Sequence, residues 1–134
     1  MGTTFLVIDD SYIDRLVAGM LIKRTFENPD VFELSGGKEA LDWLNNHEID
    51  GHLVILLDIM MPYMNGFEFL THFESLHAST KSNTTIFMLS STLDHEDMAR
   101  AEKHPFVEKL LGKPLSEKQL KQLLQRPVRP GPRG

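Results

Sequence analysis

Cysteine is absent from the 134 residues. That excludes a disulfide framework and any metal or redox site built on thiolates. Positive charge is scarce beside negative: 14 Lys and Arg stand against 19 Asp and Glu, a formal net charge of −5. This balance argues against a nucleic-acid backbone as the main partner, although a local basic patch stays compatible with it. Long apolar runs are also missing, and none approaches the roughly 20 residues of a membrane span. No basic leader precedes the apolar segment that begins at Phe5, so no secretory signal is expected. The start, Met1 to Leu6, resembles an N-myristoylation signal but has Leu6 where Ser or Thr is required. Asn83-Thr84-Thr85 is a glycosylation sequon of the kind that chance supplies. Together these absences lead to an expectation of a reducing, cytoplasmic setting.

What is present fits one globular domain, with 41% hydrophobic and 25% charged residues. The organising stretch is Leu53-Val54-Ile55-Leu56-Leu57-Asp58, followed by Ile59-Met60-Met61-Pro62 and Asn65-Gly66. Five apolar residues ending on a carboxylate, bounded by turn signals, suit a strand buried on both faces, as a parallel sheet requires. Further strands are expected at 4–8, 31–34, 84–89 and 106–111. Helices are expected at 11–26, 38–46, 66 to about 77 and 94 to about 103. A last one follows the capping box Ser116-Glu117-Lys118-Gln119, with Leu120, Leu123 and Leu124 inward. In the first helix Ile13, Leu16, Val17, Met20 and Leu21 recur at helical spacing. Trp43 falls off the core face of its helix and receives no role. The histidines (His47, His52, His72, His77, His95, His104) show no metal-ligand spacing and are expected at the surface. The domain is expected to span residues 1–125. Residues 126–134, rich in Pro and Arg, hold no core element and are expected to be a disordered or extraneous tail.

A strand and a helix alternate five times. This implies an α/β fold with parallel strands and right-handed crossovers, so that all strand C-termini lie on one edge. Asp9, Asp10, Asp58, Ser90 and Lys113 each fall at or just past such an end. Taken singly, each has an ordinary explanation as a solvated turn, an Asx-turn, loop polarity or a commonplace Lys-Pro pair. Their recurrence at successive strand ends gives them weight together. Three carboxylates brought close repel one another, and hard oxygen donors of this kind suit Mg²⁺. Asp58 is a candidate nucleophile toward phosphorus, Lys113 a second positive charge, and Ser90 a hydroxyl donor to a phosphoryl oxygen.

At this point the chain resembles a receiver domain of the bacterial two-component response regulators, the CheY-like superfamily, from Thr4 to about Gln125. The residues that carry the likeness are Asp9-Asp10, Asp58 in Leu56-Leu57-Asp58-Ile59-Met60-Met61-Pro62, Asn65-Gly66, Ser90 after Met88-Leu89, and Lys113-Pro114. The resemblance implies a flavodoxin-like (βα)5 fold with strand order 2-1-3-4-5. It implies that Asp58 accepts a phosphoryl group from a phosphohistidine of a sensor histidine kinase or a histidine phosphotransfer protein. It implies Mg²⁺ held by Asp10 and Asp58 with the backbone carbonyl of Met60, and by Asp9 through water. Ser90 and Lys113 would hold the phosphoryl oxygens.

Three positions depart from the family pattern. Met60 stands where Asn is frequent, Ser91 where a small Ala is common, and Leu110 where many members carry Tyr or Phe. The expected role is that of a single-domain, phosphorylation-controlled binding module, not a conventional enzyme. It is expected to act through contact with a downstream protein target, without a DNA-binding domain or a membrane segment. Its output contact is expected on the face of the fourth helix, fifth strand and last helix. A phosphorelay intermediate is a second reading. An Asp-nucleophile phosphohydrolase is a third, weakened because Met60 stands where that class usually places a second aspartate.

Overall fold

The computed structural model describes residues 2–76 and 78–125, leaving out the side chains of residues 79 and 123–125. The expectations for the 126–134 tail, for His77 and for the inward side chains of Leu123 and Leu124 lie outside the described residues. The elements are β1 (Thr3–Ile8), α1 (Tyr12–Thr25), β2 (Asp30–Leu34), α2 (Gly37–Asn46), β3 (His52–Asp58) and α3 (Gly66–Phe73). They continue as α4 (Ala78–Ser82), β4 (Thr84–Ser90), α5 (His95–Lys103), β5 (Val107–Gly112) and α6 (Glu117–Gln125). The five strands form one parallel sheet in the order β2-β1-β3-β4-β5, as expected.

β3 sits at the centre because its side chains are apolar on both faces. Leu53, Ile55 and Leu57 join the apolar layer beneath α2, α3 and α5, while Val54 and Leu56 join the layer beneath α1 and α6. All five are essentially inaccessible to water. Burying each side chain contributes about 1.5–3 kcal/mol against an exposed reference. Among the described residues no helix is long and apolar enough to cross a membrane.

Helix starts follow local chemistry. Ser11 caps α1 by accepting from the Asp14 N–H at 3.2 Å, and Asp94 caps α5 by accepting from the Glu96 N–H at 2.8 Å. Asn65 and Glu68 form a reciprocal capping box at α3. At α6, Ser116 Oγ accepts from the Gln119 N–H at 3.0 Å.

Four expectations need correcting. The helix expected from 66 to about 77 ends at Phe73. There the Ser75 and Leu76 N–H groups bond back three residues, to His72 and Phe73, tightening the chain into a turn before the short α4. No Gly or Pro marks that stop. In α1 the buried residues are Ala18, Gly19 and Ile22, Leu21 packs half-buried against the same layer, and Ile13, Leu16, Val17 and Met20 stay exposed. Trp43 is half-buried against the core edge, stacked on His47 at 4.3 Å and beside Phe32 at 5.0 Å. His52 and His104 are also half-buried. The first is hydrogen-bonded to Thr85 Oγ1 at 2.8 Å and the second paired with Glu74 at 3.1 Å.

Candidate functional site

Strand register assembles the site. Ile8 pairs with Leu57, so the next residues, Asp9 and Asp58, emerge level with each other. Asp58 pairs with Leu89, which puts Ser90 one step beyond. Ser90 pairs with Gly112, which puts Lys113 at the same edge. That last pairing depends on a register shift in which Phe87 opposes Lys109, not Glu108. Without the extra residue Ser90 would stand opposite Leu111, and Lys113 would lie one residue further past the rim.

Asp58 is 5% exposed and Asp9 3%, while Asp10 is exposed. One carboxylate oxygen from each of the three lies within 4.8 Å of the others. Lys113 Nζ lies 2.7 Å from Asp9 Oδ2, 2.9 Å from Asp14 Oδ2 and 3.3 Å from Asp58 Oδ1. The other Asp9 oxygen accepts from the Ser11 N–H at 2.9 Å, and the Asp9 carbonyl accepts from Arg15 Nη1 at 2.7 Å. Asp9 is thus fixed on both sides, whereas Asp10 is open to solvent.

The electrostatics follow from this crowding. Burial, and then the charge of Asp9, push the Asp58 carboxyl up to about 6, against the opposing pull of Lys113 and the Met60 N–H. Burial acts to lower the Lys113 ammonium, but hydrogen bonds to Asp9 and Asp14 and the charges of Asp58 and Asp9 outweigh it. The net displacement is upward, and Lys113 stays charged. Three carboxylates, those of Asp9, Asp14 and Asp58, therefore surround one lysine. The donors are all oxygen, and such a set suits a hard divalent cation.

The loop after β3 closes the site. Gly66 packs so tightly that an added Cβ would stand 2.7 Å from the Asp58 carbonyl oxygen and 2.9 Å from Met88 Cε. Only glycine fits there. Tyr63 is fully exposed with φ at 68°, and the Met64 N–H bonds to the Pro62 carbonyl across it at 2.8 Å, closing a γ-turn. The Met60 side chain is 71% exposed beside Asp58.

The residues expected from sequence are not all in mutual contact. Asp9, Asp10, Asp58 and Lys113 converge. Ser90 lies at the same edge and is buried, but its hydroxyl donates to the Thr92 carbonyl and accepts from the Thr92 N–H at 3.2 Å. Leu110 is buried in β5 opposite Met88, and Ser91 is exposed. Asp14 and Arg15 were not foreseen. Asp14 showed only an acid in the first turn of a helix, which the helix dipole explains by itself. Beside Lys113 an apolar cleft of ≈ 330 Å³ opens between α1 and the chain after β5, lined in part by Val17, Ala18, Leu21, Pro114 and Leu115.

The chain matches the response regulator receiver domain family over residues 5–125. It is similar to a solved response regulator receiver protein from Dyadobacter fermentans, with 34% identity, TM-score 0.84, and coverage of 93% of this chain and 97% of that one. It is 33% identical over 91 residues to a transcriptional regulatory protein CpxR homolog of Haemophilus influenzae, covering 68% of this chain and 35% of that protein. It is also 40% identical over 65 residues to a protein-glutamate methylesterase/protein-glutamine glutaminase of Treponema pallidum, covering 48% of this chain and 15% of that protein. The chain therefore spans about a third or less of the length of these two curated relatives.

Proposed function

The chain belongs to the response regulator receiver domain family, and on that premise we propose that Asp58 is its phosphoacceptor. A carboxylate oxygen of Asp58 attacks the phosphorus of a phosphohistidine on a histidine kinase or histidine phosphotransfer protein. The P–N bond breaks and its electron pair returns to the imidazole, leaving an acyl phosphate on Asp58. The observation that carries this reading is the buried Asp58 at a strand end, 3.3 Å from Lys113 and within 4.8 Å of two further carboxylates. The donor chemistry fits Mg²⁺. Asp10 and Asp58 would hold it with the Met60 carbonyl, and Asp9, whose oxygens already serve Ser11 and Lys113, would act through water. When bound, the ion neutralises charge on the transferring phosphoryl group. Lys113 donates to a phosphoryl oxygen. Ser90 joins it once its hydroxyl turns away from Thr92.

The output is a phosphorylation-dependent contact with another protein on the face of α5, β5 and α6. A relay role, passing the phosphoryl group on to a histidine, is supported by the same acceptor chemistry. The exposed apolar residues Tyr12, Ile13, Leu16, Val17 and Met20 of α1, beside the cleft, offer a surface for the phosphodonor.

The direct test is incubation with acetyl phosphate and Mg²⁺ followed by intact mass measurement. A single phosphoryl adduct is expected on the wild type, none on Asp58→Asn and none in EDTA. An unmodified wild type would sink the reading. Turnover of added phosphomonoesters would favour a hydrolase. Loss of adduct only on adding a phosphotransfer protein would favour the relay.

A further inference from the structure

We propose that Asp14 is a positioning residue for Lys113, competing with a phosphoryl group on Asp58 for the lysine ammonium. It thereby weakens the site's hold on that group. The inference rests on Asp58 being the phosphoacceptor.

An ammonium has three N–H donors. Two are committed here, to Asp9 Oδ2 at 2.7 Å and Asp14 Oδ2 at 2.9 Å, and the Asp58 contact is longer at 3.3 Å. Asp9 cannot readily release its share. It is buried, and its other oxygen is held by the Ser11 N–H at the turn into α1. Asp14 can, because its side chain is 45% exposed and water replaces Lys113 at small cost. Asp14 is nevertheless well placed to hold on. Its own N–H is bonded to Ser11 Oγ, which anchors it in the first turn of α1, one turn from the acidic rim. A phosphoryl oxygen on Asp58 would draw on the same three N–H donors, and the Lys113–Asp14 bond is the one it can displace. The added negative charge on Asp58 also repels Asp14. Asp14 is therefore the group that must yield when the phosphoryl group arrives.

Beryllofluoride, a phosphoryl mimic, tests this at equilibrium. It is titrated with saturating Mg²⁺ into wild type, Asp14→Asn and Asp14→Glu, while the Lys113 Nζ resonance is followed by ¹H–¹⁵N NMR. Asp14→Asn should bind about two- to fivefold more tightly, the range for one partly exposed ion pair. Asp14→Glu should stay near wild type. The Lys113 resonance of mimic-free Asp14→Asn should already lie toward its mimic-bound position. Unchanged or weaker binding by Asp14→Asn overturns the proposal. Tighter binding with an unmoved Lys113 resonance also overturns it, since Asp14 would then act only as a distant charge. If the wild type itself does not bind the mimic, the phosphoacceptor reading fails, and this inference with it.

Discussion

A carboxyl group that burial pushes from 3.8 up to about 6 is one the fold would rather keep neutral. At pH 8 Asp58 is charged in both folded and unfolded chains, and the folded chain bears the cost of that charge. Because the folded pKa lies above the unfolded one, the stability gained from protonating Asp58 is complete below about 3.8 and is lost as pH rises through about 6. Asp58→Asn removes the charge and keeps the volume. In metal-free buffer at pH 8 it should exceed the wild type by about 1–3 kcal/mol, given about 1.4 kcal/mol for each unit of displacement. The two proteins should converge near pH 4. Urea unfolding across that range reads the difference, and equal stability at pH 8 would mean that Lys113 offsets the burial. The proposed phosphoacceptor thus destabilises the metal-free fold. That was not legible from Asp58 alone, because its burial depends on the strands on either side, β1 and β4, and on the residues at their ends. The convergence of Asp9, Asp58 and Lys113 was legible, since in a parallel sheet every strand end faces the same edge. Asp14 was not, because a helix start explains an acid there without a lysine brought in from 99 residues away.

At the scale of elements, α1 is the most informative. Its bulky apolar residues recur at helical spacing, yet the sheet receives the small ones, Ala18 and Gly19, with Ile22. A Cβ on Gly19 would come within 3.1 Å of Glu33 Oε2, so the small side of the helix is what allows this close approach. Periodicity finds a helix but does not say which apolar stripe faces inward when the chain carries two. The outward stripe is exposed apolar surface running down from the acidic rim, a mark of a contact site. Leu16→Glu should therefore change stability by no more than about 0.5 kcal/mol, as surface changes do. It should also slow phosphoryl transfer from a phosphorylated histidine-kinase domain at least tenfold, about 1.4 kcal/mol of lost docking. Acetyl phosphate, which needs no docking face, should modify this variant at the wild-type rate. Equal slowing with both donors would mean that the substitution disturbs the site itself. The register shift between β4 and β5 belongs to this scale too. It sets Lys113 against Ser90, and neither Glu108 nor its neighbours announce it.

Across the whole molecule, two apolar layers lock the sheet from both faces, so the signal proposed to start at Asp58 would leave through the parts least tied to them. Among the described residues of α5, only Ala101 is fully buried, and the loop before it carries an exposed Leu93. Ser90 links that loop to the site, because its hydroxyl holds Thr92 by both carbonyl and N–H. Leu110 is packed opposite Met88 and has no ring to swing, so it offers no rotamer switch. On the proposed phosphorylation, a Ser90 hydroxyl turned toward a phosphoryl oxygen would give up its Thr92 bonds, freeing the 91–94 loop and α5 to move together. Adding Mg²⁺ and beryllofluoride should therefore shift the amide resonances of Ser90 to Asp94 and of α5, while the Leu110 methyl resonances change little. Ser90→Ala should lose about 1 kcal/mol of stability through the lost hydrogen bonds to Thr92. It should also abolish the α5 response even where the mimic still binds. Leu110 methyl shifts without movement in α5 would place the coupling in β5 instead. The loop route requires the opposite order of response: α5, anchored by buried Ala101, half-buried Met98 and Arg100 over the Phe67 ring, yields before a leucine packed into the core.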